Sequence, residues 1–108
     1  MTEPTERERL EALCNCPFSG PTVRRLLELP RVERRGFCFG LSAAASFHDS
    51  LADFLGGAGW WRYALPGERE RDGKVARKHS EYATDLRALA GHCERAAALA
   101  QAGEHDPA

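Results

Sequence analysis

The sequence predicts an all-α fold, a small bundle of about four helices closed by a long C-terminal helix over about 73–101. Three observations carry this. Strand signals are poor, with three Val, no Ile and no alternating apolar run bounded by turns. Apolar residues recur at three- and four-residue spacing in several separate stretches. Gly and Pro fall between those stretches, where helices stop. A chain of 108 residues, 43% hydrophobic and 29% charged, has the ordinary mix of one globular domain. That domain is read as 1–100, with 101–108 as a frayed tail.

The first helix begins at Thr5, which has capping-box spacing with Glu8 ahead of Leu10 and Leu13. It ends near Cys14 to Pro17. A second start follows at Ser19-Gly20-Pro21, because Pro in the first turn loses no hydrogen bond. Val23, Leu26 and Leu27 give this helix its apolar face, and Pro30 interrupts it. Arg31 to Arg35 reads as one further turn ending at Gly36. The third helix runs from Phe39 or Leu41 to Leu55, on the recurrence of Leu41, Ala44, Phe47, His48, Leu51, Phe54 and Leu55. Gly56-Gly57 stops it, Trp60 to Leu65 is a short apolar stretch, and Glu68 to Gly73 is a charged connection.

The last helix has Asp72 as its N-cap. Its apolar seam is Val75, His79, Tyr82, Leu86, Leu89, Cys93 and Ala96, which step by four and three. Three or so heptads suit the long helix of a bundle better than a free-standing coiled coil. The core expected from all four helices is Leu13, Val23, Leu26, Leu27, Phe47, Leu51, Phe54, Tyr82, Leu86, Leu89 and one indole.

Net charge is −1, which excludes a generic polyanion binder. No apolar run approaches the ~20 residues of a membrane span. The N-terminus is charged where a signal peptide would be apolar. The expected location is therefore cytoplasmic, with reduced thiols and no membrane partner. Charge is nevertheless patchy. Thr22 to Phe37 and Arg62 to Lys78 each carry +3. Arg24, Arg25, Arg34 and Arg35, with Lys74, Arg77 and Lys78, make a weak nucleic-acid footprint, since phosphate contacts need only spread cations. No helix-turn-helix, zinc-finger or ribonucleoprotein signature accompanies them, and interleaved acids dilute the patch. The 13 Arg against 2 Lys fit a coding bias as well as selected chemistry.

Four cysteines are more than a chain of this size ordinarily carries. Cys14, Cys16, Cys38 and Cys93 are the candidate ligands of zinc or an iron–sulfur cluster, because thiolates are soft anionic donors. There is no C-x-x-C knuckle, and Cys93 lies on the helix seam, so packing explains Cys38 and Cys93 equally well. Cys38 as an enzyme nucleophile is the weakest reading and requires an acidic thiol there. No catalytic residue is assigned, and no cofactor is required. Trp60, Trp61, Arg62 and Tyr63 form the most distinctive cluster and are the residue types enriched at binding hot spots. The expected function is a non-catalytic interaction module, a small subunit or adaptor that binds a protein partner or a second copy, with nucleic acid as a further partner. A small metal-binding protein is the alternative.

Overall fold

A computed structural model describes residues 3–56 and 65–104. Among these residues there are four α-helices and no strand. They are α1 (Glu6–Cys14), α2 (Gly20–Glu28), α3 (Arg31–Gly56) and α4 (Pro66–Glu104). The all-α class and the long C-terminal helix stand as expected.

Helix starts follow local chemistry. The Thr5 hydroxyl accepts from the Glu8 N–H at 3.2 Å, and the Glu8 carboxylate accepts from the Thr5 N–H, which closes the capping box. Gly20 opens α2 with no room to spare. A Cβ there would land on the carbonyl oxygen of Cys14, so only glycine lets α2 start against the end of α1. Leu29 is extended (φ −79°, ψ 150°), as a residue before proline prefers, and ends α2.

Two boundaries differ from the sequence reading. α3 does not break at Gly36: the Pro30 carbonyl accepts from the N–H groups of Glu33 and Arg34, and 26 residues follow without interruption. An exposed glycine costs a helix only about 1 kcal/mol, less than the packing of a long helix supplies. α4 starts at Pro66 rather than Asp72, so the charged stretch Glu68 to Gly73 is helical. Proline is well placed at a first helical position. The Glu68 carboxylate accepts from the Leu65 N–H at 3.1 Å, and Glu70 pairs with Lys74 one turn on.

The described residues fall into two compact units, one within Met1–Leu41 and Ala88–Ala108, the other within Ser42–Arg87. The first has a conventional small core of Val23, Leu26, Cys38, Cys93 and Ala96, with Leu10, Leu13, Leu27 and Phe37 packed around it. The second is lined inside by small residues, with Ala45 and Ala52 on α3 and Ala76 and Ala83 on α4 all buried. α3 and α4 run antiparallel there. His48 meets His79, while Gly56, further along α3, lies where a Cβ would be 3.7 Å from that of Ala76. Backbones approach this closely only when the facing side chains are small.

The expected seam is therefore rotated by one residue. His79, Leu86, Cys93 and Ala96 stay on it, but Ala76 and Ala83 replace Val75 and Tyr82, and Ala90 is buried beside a half-buried Leu89. Val75 and Tyr82 are exposed instead. Phe47 and Phe54, expected in the core, are 60% and 59% exposed. Choosing the largest apolar residues at each turn misled here, because close-packed helices select for fit rather than size.

Candidate functional site

The cysteines divide into three environments. Cys38 and Cys93 are buried in the core of the first unit, and Cys14 packs partly against that core. Burial pushes the Cys38 thiol up, with help from Glu94. It pushes Cys93 up to about 11, with Cys38 and Glu94 adding to the effect. Both stay protonated thiols near neutral pH, so Cys38 lacks the acidity a nucleophile needs. Among the described residues no three His, Cys, Asp or Glu converge as metal ligands. The expected site of Cys14, Cys16, Cys38 and Cys93 is not assembled, because its members belong to a core and to a separate turn.

Cys16 is the exception. It lies in the turn between α1 and α2, half-buried. Hydrogen bonding from Ser19 and Phe18 holds the Cys16 thiol below its ordinary value. Ser19 occupies the N-cap position of α2, yet its side chain makes no capping bond. The hydroxyl is fully buried and sits 2.5 Å from His92 Nδ1, 73 residues away. Phe18 meets the His92 ring edge-on at 6.2 Å and fixes its orientation.

Cys16 and His92 line one apolar groove of about 580 Å³ between α1 and the last turns of α4. Ala12, Leu13, Ala98 and Leu99 form its walls. Arg9 and Arg95 are the two cations on its lining.

The second unit displays aromatic surface. Phe47 and Phe54 lie seven residues apart on α3, and Val75 and Tyr82 lie seven apart on α4, so each pair shares a helix face. Between them sit His48 and His79, with Nδ1 atoms 2.8 Å apart and rings stacked at 5.0 Å. Phe47 and Tyr82 meet His48 edge-on at 5.7 and 5.5 Å, which makes a continuous ring cluster. Asp49 accepts from Arg87, so the charges beside the cluster neutralise each other. In the first unit Val32 and Phe39, also seven apart on α3, are 86% and 73% exposed.

Of the basic footprint, Arg24, Arg25, Arg34 and Arg35 belong to the first unit. Arg34 donates to the Leu29 carbonyl. Lys74, Arg77 and Lys78 belong to the second, where with Val75 and Glu81 they line a depression of about 330 Å³. Trp60, Trp61, Arg62 and Tyr63 lie outside the described residues.

Sequence reasoning missed Ser19, His92, Arg9 and Arg95 around Cys16. Only Cys16-Pro17-Phe18-Ser19 just ahead of a Gly-Pro helix start could have flagged the turn, since a thiol there meets free helix N–H groups. Nothing local points to His92. No protein-family model, curated protein or solved structure matches this chain.

Proposed function

We propose that this chain is a non-catalytic interaction module that docks another polypeptide, a second copy first of all, on the aromatic face of the unit within Ser42–Arg87. One observation supports the reading. In that unit alanines fill the interior, while Phe47, Phe54, Val75 and Tyr82 face solvent. Scattered apolar residues on a surface mean little, but a connected aromatic cluster is a mark of recognition surfaces. A tyrosine and two phenylalanines offer large area at small conformational cost, which is the composition of binding anchors. The paired Asp49 and Arg87 leave no net charge between them to repel a second copy. In the chain, Trp60, Trp61, Arg62 and Tyr63 fall between α3 and α4, and the proposal includes them as further contacts.

Sedimentation velocity over a hundredfold concentration range tests this. The mass rises from 11.9 kDa towards twice that value over the micromolar range. A chain that stays at 11.9 kDa throughout contradicts docking of a second copy.

A further inference from the structure

We propose that His48 and His79 form an acid-sensitive latch between α3 and α4, closed while the pair carries at most one positive charge and opened by a second. Its consequence for association rests on the docking proposed above, whereas the latch itself does not. The observation that carries it is the meeting of two rings from different helices. Their Nδ1 atoms are 2.8 Å apart while their centroids stand 5.0 Å apart, with planes 23° from parallel, so the rings approach nitrogen first. At that separation one nitrogen donates and the other accepts. The donor ring is then the Nδ1–H tautomer, and the acceptor ring carries its hydrogen on Nε2. Both rings are half-buried, and Phe47 and Tyr82 meet His48 edge-on.

Proton arithmetic sets the response. The first added proton goes to the free Nε2 of the donor ring. The Nδ1–H···Nδ1 bond survives and becomes charge-assisted. A second added proton has only the acceptor Nδ1 to occupy. The contact then sets N–H against N–H and cation against cation. Among the described residues, little stands by to neutralise the second charge. No Asp or Glu lies three or four residues from His48 on α3 or from His79 on α4. Asp49, beside His48, accepts from Arg87. Tyr82 meets both rings, at 5.5 and 6.0 Å, as an aromatic edge rather than a charge. Lys78, beside His79, adds positive charge, and Asp72 lies two turns away, about 10 Å along the axis. Asp53, Glu81 and Asp85 fall on other sides of their helices. The folded pair thus takes up one proton where the unfolded chain takes up two. Stability therefore falls as pH drops through the range in which a free imidazole charges, near about pH 6.5. Phe47 and Phe54 belong to α3, and Val75 and Tyr82 to α4, so opening the latch divides the docking face.

The test compares the full chain with His79→Gln by urea unfolding at pH 7.5, 6 and 5. A glutamine amide turns to present either its N–H or its oxygen, so the contact tolerates a neutral or a charged His48. Carboxylate titration is common to both chains. From pH 6 to pH 5 the unfolding constant of wild type rises about tenfold more than that of His79→Gln. Equal rises overturn the latch. A second readout needs no variant. Imidazole nitrogen NMR of wild type at pH 7.5 shows one of the two rings as the Nδ1–H tautomer, and protection factors of the surrounding α3 and α4 amides fall as the second proton enters. Two Nε2–H rings at pH 7.5, or two imidazolium rings at pH 5 with those protection factors unchanged, also overturn it. Sedimentation separates the latch from docking. Wild type that associates at pH 7.5 falls to 11.9 kDa at pH 5, and equal association at both overturns regulation of the face. A chain monomeric at pH 7.5 contradicts docking alone, and the unfolding comparison still decides the latch.

Discussion

Ala83→Leu separates the alanine-lined interior from the seam that residue size alone would choose. Ala83 has no exposed surface and lies between buried Ala76 and Ala90 on α4. Leucine adds three carbons to a position already in contact on its inner side. Overfilling a packed site costs about 1–3 kcal/mol. Helix propensity offsets almost nothing, since Ala and Leu differ by only a few tenths of a kcal/mol. In a chain near 100 residues, that loss lowers the melting temperature by about 5–20 °C. If Tyr82 lay on the seam instead, Ala83 would face outward and leucine would change stability by less than about 0.5 kcal/mol. Thermal unfolding followed by far-UV circular dichroism reads the difference, with Ala88→Leu at an exposed position of the same helix as control. A melting temperature for Ala83→Leu within 2–3 °C of wild type, on the order of the control, refutes the alanine-lined packing.

Three further outcomes follow from the same geometry. Gly20→Ala forces a methyl onto the Cys14 carbonyl and destabilises by about 1–3 kcal/mol, measured by urea unfolding. Thr5→Ala removes the capping box and costs about 1 kcal/mol, which shows as roughly fivefold lower amide protection confined to α1. Cys93 is held above its ordinary value in the fold, so its contribution is fully present below about pH 9 and is lost as pH rises from 9.0 through about 11. Cys93→Ala, compared by chemical denaturation from pH 8 to 11, therefore shows a flatter alkaline decline than wild type; equal slopes rule this out.

Much of the fold was legible because its signals are local. The capping box at Thr5, the Gly-Pro start of α2 and the stop before Pro30 each depend on a few adjacent residues, and each appears where the sequence places it. Glycine misled near the start of α3, where Gly36 reads as a stop but sits exposed within a continuous helix. The seam of α4 was legible in period but not in phase. Val75 and Ala76, or Tyr82 and Ala83, are neighbours that both fit a heptad, and only the facing helix decides which turns inward. The same ambiguity put Phe47 and Phe54 in the core when Ala45 and Ala52 occupy it. The cysteines illustrate the other limit. Their number suggested shared ligation, but Ser19 and Phe18 act on Cys16 alone, and the Ser19 hydroxyl meets His92, 73 residues away in sequence. No spacing rule reaches across 73 residues.

The most direct test of the central claim is one variant with two readouts. Phe47→Ser with Phe54→Ser strips the two phenylalanines from the aromatic face. Because both rings are more than half exposed, their loss costs far less than the roughly 3–5 kcal/mol of a buried phenylalanine each. The account predicts a folded variant whose melting temperature falls by less than about 10 °C, and whose sedimentation stays at 11.9 kDa where the wild-type chain associates. An unfolded variant would return these rings to the core. A folded variant that still associates as strongly as wild type would show that the face does not bind.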